Sequence, residues 1–227
     1  MTDSEVIEWM QDHTNAFQKI MTYYRCALME IETKFNVLNE EYSLQYDRNP
    51  VSSIKCRLKT PQSILEKLSR KGIAPSVSAI EENLNDVAGV RVICSFPEDV
   101  YTLADVFLKQ DDITLIERKD YISHPKPNGY RSLHLIVSVP IFLANEKRPM
   151  KVEIQLRTIA MNCWAHLEHQ LRYKKTRDFS EQMNADLELC ARLSAELDLR
   201  MDALRQSVDS DTYISYENLL ETHPKFS

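Results

Sequence analysis

Only three glycines, Gly72, Gly89 and Gly129, occur in 227 residues. A phosphate-binding loop of the Walker type needs two glycines five residues apart, and the dinucleotide fingerprint needs three within six. Neither can be written with these positions, so any nucleotide has to be gripped by side chains. The remaining composition is ordinary: 43% hydrophobic and 27% charged residues suit a globular chain with a sizeable core. A formal charge of −6 argues against wrapping duplex DNA by bulk attraction, so no DNA partner is expected. No apolar run approaches the roughly 18–20 residues that span a bilayer. The start, Met1-Thr2-Asp3-Ser4-Glu5, lacks the basic region of a secretory signal, so no membrane is expected. Five widely spaced cysteines with no C-x-x-C pair point to free thiols in a reducing cytoplasm.

Two stripes frame the chain. Phe17, Met21, Tyr24, Leu28, Ile31, Phe35, Leu38 and Tyr42 follow a 4,3 spacing, one heptad after Met10, and no Pro or Gly intervenes before Asn49-Pro50. This predicts a helix about 60 Å long at 1.5 Å per residue. Met183, Leu187, Cys190, Ser194, Leu197, Met201, Leu204 and Val208 repeat the spacing near the other end. Such seams need partners: each other, the central region, or another subunit. Between them the sequence predicts a helix over 62–71 opened by Pro61 and closed by Gly72, and a strand over 87–96. A helix from Pro97 to about Gln110, strands over 113–116, 132–139 and 150–156, and a helix over 158–173 follow. The expected order is α-α-β-α-β-β-β-α-α, an α+β fold around a mixed sheet flanked by helices. We divide it into an N-terminal helical arm (1–50), a central domain (51–178) and a C-terminal helix with its tail (179–227).

Strand alternation indicates where chemistry sits. Val152, Ile154 and Leu156 form an apolar face; Lys151, Glu153, Gln155 and Arg157 form the other. Leu133, Leu135 and Val137 oppose Tyr130, Ser132 and His134, and Ala88, Val90, Val92 and Cys94 oppose Gly89, Arg91 and Ile93. His, Tyr, Gln and Gly on such faces suit a lined cleft better than a merely solvated sheet surface. Lys55, Arg57, Lys59, Lys67, Arg70 and Lys71 place six cations within 17 residues of an acidic chain, which suits a polyphosphate. Asp86 and Glu153 stand where two carboxylates with phosphate oxygens and waters could hold magnesium. His166-Leu167-Glu168-His169 is not a His-Glu-x-x-His zinc motif, and no His-Asp dipeptide occurs.

Four motifs, in order and spacing, resemble the synthetase domain of the RelA/SpoT homologue superfamily. They are Asn85-Asp86-Val87-Ala88-Gly89-Val90-Arg91, Asn128-Gly129-Tyr130-Arg131-Ser132-Leu133-His134, Val152-Glu153-Ile154-Gln155-Leu156-Arg157-Thr158, and Trp164-Ala165-His166-Leu167-Glu168-His169. The resemblance covers about residues 55 to 175 and is greatest to the stand-alone small alarmone synthetases. It implies the nucleotidyltransferase-like sheet of that family, long terminal helices, and a homotetramer. It also implies transfer of the β,γ-pyrophosphate of ATP to the 3′-hydroxyl of GDP or GTP, giving ppGpp or pppGpp and AMP in the stringent response. Carried over by position, Arg57 and Arg91 would hold adenine, and Lys59, Lys67 and Arg70 the ATP phosphates. Asp86 and Glu153 would bind Mg2+, with Glu153 helping to deprotonate the 3′-hydroxyl. Tyr130 would stack on guanine, His134 and Lys126 would contact acceptor phosphates, and Gln155 and Asn162 would position the acceptor. Two readings of other classes stand beside this one: a catalytically inactive nucleotide sensor of the same fold, and an oligomeric RNA-binding protein using the basic patch and Tyr130.

Overall fold

Five strands form one sheet: β1 (Val51–Leu58), β2 (Ala88–Cys94), β3 (Thr114–Asp120), β4 (Leu133–Phe142) and β5 (Lys147–Thr158). Their order across the sheet is β1-β2-β5-β4-β3. The β2–β5 pair is parallel and the other three are antiparallel. The helices are α1 (Thr14–Tyr46), α2 (Pro61–Arg70), α3 (Val77–Asn83), α4 (Pro97–Leu108), α5 (Ile159–Tyr173) and α6 (Glu181–Asp209). The computed structural model describes residues 14–46, 48–173 and 179–210, so Met10 lies outside the described residues. The α+β fold around a mixed sheet is as the sequence predicts. Two elements go beyond the expected order: β1, where a basic stretch without regular alternation hid an edge strand, and α3, seven residues long and capped by the Ser76 side chain.

Helix α1 lies across the sheet and touches β1, β2, β4 and β5. Its heptad stripe therefore finds its partner within the chain: Phe17, Tyr24, Leu28, Ile31, Phe35 and Leu38 are all buried. Phe35 stacks on Phe107 of α4, with ring centroids 4.6 Å apart and planes 13° from parallel. Below them Val90, Val92, Ile154, Leu156, Leu133, Leu135 and Val137 form the apolar sheet face. Each terminus of α2 follows its sequence signal. Thr60 caps the start through its hydroxyl, Pro61 occupies the first turn, and Gly72 takes φ +69° just beyond the end.

Helix α6 behaves differently. It packs on α5 and α4 through Ala191, Asp198, Leu199, Asp202 and Ala203, while Met183, Leu197, Met201, Leu204 and Val208 of the predicted stripe face solvent. Trp164 of α5 donates through Nε1 to the Leu187 carbonyl at 3.0 Å, and Arg205 binds Asp202, Asp209 and Glu98. Arg48 grips the buried Asp99 with two hydrogen bonds of 2.7 and 3.0 Å. Gly129 (φ +85°) faces Ala191 so closely that a β-carbon there would collide with the alanine side chain. All five cysteines are free, and no helix among the described residues is long and apolar enough to cross a membrane.

Removing the Phe35 ring should leave a cavity under α1. Phe35→Ala is expected to cost about 3–5 kcal/mol in denaturant unfolding; a loss under about 1 kcal/mol would show that α1 is not core. Asp198 gives a pH test. Burial pushes its carboxyl up to about 6, despite a hydrogen bond from Thr158 and the nearby charge of Arg131, with Asp202 raising it further. A carboxyl raised in the folded state costs stability above that value, and the cost is relieved as the pH falls through it. Asp198→Asn should therefore raise Tm at pH 7.5, by about 2–4 °C per kcal/mol relieved. That gap should shrink toward pH 5, and an equal gap at both pH values would contradict the account.

Candidate active site

The strand register assembles the polar face. Lys55 sits opposite Arg91, Arg91 opposite Gln155, Gln155 opposite His134, and His134 opposite Lys119. A second row runs Arg57, Gly89, Glu153, Ile136, Glu117. Residues directly opposite in a ladder point to the same side, so two rows across five strands carry ionisable groups over the face turned away from the core. A side chain at Gly89 would stand between Arg57 and Glu153, where a β-carbon would lie 3.8 Å and 4.0 Å from their carbonyl oxygens. Glycine leaves that floor open. Glu153, His134, Lys126, Tyr121, Lys119, Glu117 and Ile136 line a cavity of about 200 Å3.

At one end of the face Asp86, in the turn before β2, receives two ammonium groups. Lys59 Nζ lies 2.5 Å and Lys67 Nζ 2.7 Å from its Oδ2. Burial pushes the Asp86 carboxyl up, but the two lysines together hold it below the usual carboxylate range. Its Oδ1 is buried and has no hydrogen-bond partner, an uncommon state for a carboxylate oxygen that suits a cation ligand. Among the described residues no three His, Cys, Asp or Glu side chains converge on one point. A metal here would draw its remaining ligands from phosphates and water, which is magnesium's habit.

Beside it on the same face five side chains form a closed ring of contacts, four of them hydrogen bonds and the fifth the approach of His134 to Glu153. Glu153 Oε1 is 3.4 Å from His134 Nδ1; His134 Nε2 is 2.8 Å from the Tyr130 hydroxyl; Arg157 donates to that hydroxyl. Arg157 also donates to Gln155 Oε1 at 3.0 Å, and Gln155 Nε2 donates to Glu153 Oε2 at 3.1 Å. Burial raises the Glu153 carboxyl, while the bonds from His134 and Gln155 bring it below its ordinary value, so it is ionised at neutral pH. Lys126 Nζ sits over both Tyr121 and Tyr130, 4.6 and 4.8 Å from their ring centres. The turn carrying these residues is fixed by Gly129 N–H donating to the Lys126 carbonyl and by Asn128 Oδ1 accepting from Tyr130 N–H.

Arg91 stands between Lys55 and Gln155 in the strand register, with its buried Nε lacking a hydrogen-bond partner. Burial first, then the charges of Arg157 and Arg57, depress its guanidinium. Arg70 stands exposed one turn along α2 from Lys67 and joins neither cluster. Asn162, on α5, presents a buried Oδ1 with no partner. The predicted residues thus fall into a lysine–Asp86 cluster, an arginine pair, and a Tyr130–His134–Glu153–Gln155 network. Arg157, Tyr121, Glu117 and Lys119 belong to the same face without having been assigned a role from sequence. For Arg157 the signal was available, because it continues the alternation of Glu153 and Gln155; Tyr121 follows the end of β3, where alternation stops.

Residues 56–178, more than half of the chain, match the model of the region found in RelA and SpoT proteins. The chain belongs to the RelA/SpoT family. It is 42% identical over 186 residues to the GTP pyrophosphokinase YwaC of Bacillus subtilis, covering 82% of this chain and 89% of that protein. Its fold is similar to the crystal structure of small alarmone synthetase 2 from Bacillus subtilis, with a TM-score of 0.77 at 40% identity, covering 84% of this chain and 98% of that one. It also matches small alarmone synthetase 1 from the same organism bound to its product pppGpp, with a TM-score of 0.76 at 33% identity over 85% and 98% of the two chains. A RelA/SpoT family chain with this polar sheet face has the parts that pyrophosphate transfer requires.

Proposed function

We propose that this chain is a GTP/GDP pyrophosphokinase, moving the β,γ-pyrophosphate of ATP to the 3′-hydroxyl of GDP or GTP and releasing AMP. The observation that carries the reading is the convergence of Asp86 and Glu153 with lysines, arginines and Tyr130 on one sheet face of a RelA/SpoT family chain. The activity of YwaC and the product bound to small alarmone synthetase 1 agree with it. We assign the central unit, 51–178, as the catalytic domain, with 1–50 and 179–227 as its helical flanks.

In this reading Arg57 and Arg91 stack on the adenine of ATP, and Lys59, Lys67 and Arg70 meet its phosphates. Asp86 Oδ1 and Glu153 are the groups that would hold Mg2+. Bound there, the metal would supply charge neutralisation across the phosphates as AMP leaves. Tyr130 carries the guanine, Lys126 and His134 receive the acceptor phosphates, and Gln155 and Asn162 orient the nucleoside. Glu153, ionised at neutral pH, takes the 3′-hydroxyl proton as the oxygen attacks the β-phosphorus. Positioning the two nucleotides in line is the larger share of the work, because the transition state needs little covalent help from protein.

The protein works in the cytoplasm, where ATP and GTP are found, as a homotetramer. The stripe of α1 is spent on its own sheet, so the exposed seam Met183, Leu197, Met201, Leu204 and Val208 on α6 is what remains for other subunits. Burying each such side chain is worth roughly 1.5–3 kcal/mol.

Incubation with labelled ATP, GDP and Mg2+ should yield AMP and a guanosine nucleotide of greater charge. Glu153→Gln should lower that rate by at least about a hundredfold, the lower range for losing a general base; wild-type turnover in the variant would refute the role. Light scattering should give close to four times 26.5 kDa, and Leu197→Glu a smaller, folded species. A monomeric wild type at micromolar concentration would refute the assembly.

A further inference from the structure

The motif Trp164–His169 carries part of the family resemblance, yet the reaction as proposed uses none of its residues. Helical spacing puts Trp164, Ala165, Glu168 and Arg172 on one face of α5, and that face meets the turn carrying Tyr130. Trp164 and Ala165 join Ala191 of α6 in a small buried cluster against which Tyr130 packs. Gly129 makes the contact close: a β-carbon there would collide with the Ala191 side chain and lie 3.8 Å from the Trp164 ring. Residues 124–127 of the turn are exposed, so its position is set from the end that α5 and α6 hold.

A polar contact gives this seat a direction. Asn128 Nδ2 donates to Glu168 Oε1 at 3.4 Å, and Asn128 Oδ1 accepts from the Tyr130 N–H at 3.2 Å. A carboxylate only accepts, so Glu168 selects the amine end of the Asn128 amide and leaves the carbonyl end for the Tyr130 backbone. The reversed amide would set oxygen against oxygen at Glu168 and donor against donor at Tyr130. Glu168 is itself held: Arg172 Nε lies 2.5 Å from the same Oε1. Arg172 Nη2 in turn donates to Asn184 Oδ1 of α6 at 3.1 Å, and its guanidinium covers the Phe179 ring at 4.6 Å.

We propose that Glu168 is a positioning residue for the acceptor nucleotide: by taking the Asn128 amide it fixes the turn 126–130 on α5 and α6, and so holds the Tyr130 ring where the acceptor base stacks. The fixed turn belongs to the free protein; only the effect on acceptor binding rests on the proposed pyrophosphokinase activity.

Four variants of the full chain test this: Glu168→Ala, Glu168→Gln, Asn128→Asp and the exchanged pair Asn128→Asp/Glu168→Gln. Hydrogen exchange without ligand is followed by mass spectrometry over residues 124–131, where the Lys126, Gly129 and Tyr130 amides are bonded inside the turn. KM is measured separately for GDP and ATP. Glu168→Ala should speed exchange of the turn at least tenfold while β4 and β5 stay unchanged. It should also raise the GDP KM at least tenfold with the ATP KM within twofold, since a misplacement of about 1 Å can cost about a hundredfold. Asn128→Asp sets two carboxylates face to face and should do the same. Glu168→Gln keeps an accepting oxygen and should stay within threefold of the wild type in both readouts. The exchanged pair, in which the amide at 168 donates to the carboxylate at 128, should recover to within threefold. Unchanged exchange of the turn in Glu168→Ala, equal KM losses for both nucleotides, or an exchanged pair as poor as Asn128→Asp would each overturn the proposal. Should Glu168→Ala not fold, Asn128→Asp and the exchanged pair decide: loss in the first with recovery in the second supports the proposal, and any other pattern overturns it. If the turn responds as described but the wild type makes no product, the pyrophosphokinase reading fails and the Glu168 contact stands.

Discussion

The parallel pairing of β2 with β5 is the constraint on which the site depends. It sets Gly89 beside Glu153 and Arg91 beside Gln155. Because side chains alternate, a slip of one residue would turn Glu153 and Gln155 into the core and Ile154 and Leu156 out to solvent. The apolar face prevents that slip, since α1 covers it along its length and α4 stacks Phe107 on Phe35. The register of the catalytic face is thus enforced from the opposite side of the sheet, by residues that never meet a ligand.

Parallel strands need a long crossover, and here the crossover carries function. Between β2 and β5 the chain makes α4, β3, the turn holding Lys126 and Tyr130, and β4 with His134. The Lys126–Tyr130–His134 part of the face is delivered by this excursion, and the lysine–Asp86 cluster by the segment just before β2. The turn is in turn held from behind, with Gly129 against Ala191 of α6 and Asn128 Nδ2 donating to Glu168 of α5 at 3.4 Å. The motif Trp164–His169 therefore reads as scaffolding as much as chemistry: Trp164 bonds α6 and Glu168 meets the turn.

Much of this was legible in the sequence because it rests on alternation and spacing. The faces of β4 and β5, the capping of α2 and the polar character of Glu153, Gln155 and His134 follow from local pattern. What was hidden depends on pairing. Val51–Leu58 carries too many polar residues to announce a strand, and becomes one only because β2 offers its edge. The two terminal stripes look alike in sequence but differ in fate, since the sheet receives α1 while the buried face of α6 includes Asp198 and Asp202, which no hydrophobic pattern would choose. Arg157 looked like one more polar residue until the fold laid Tyr130 against it.

We propose that Asp86, in the turn before β2, and Glu153, on β5, act as one divalent-metal site completed by nucleotide, and the proposed chemistry depends on this most. Mn2+ binding, followed by electron paramagnetic resonance in the presence of a non-hydrolysable ATP analogue, tests this directly. One tight site per chain is expected, weakened at least tenfold in both Asp86→Asn and Glu153→Gln. Wild-type Mn2+ affinity in either variant would contradict it.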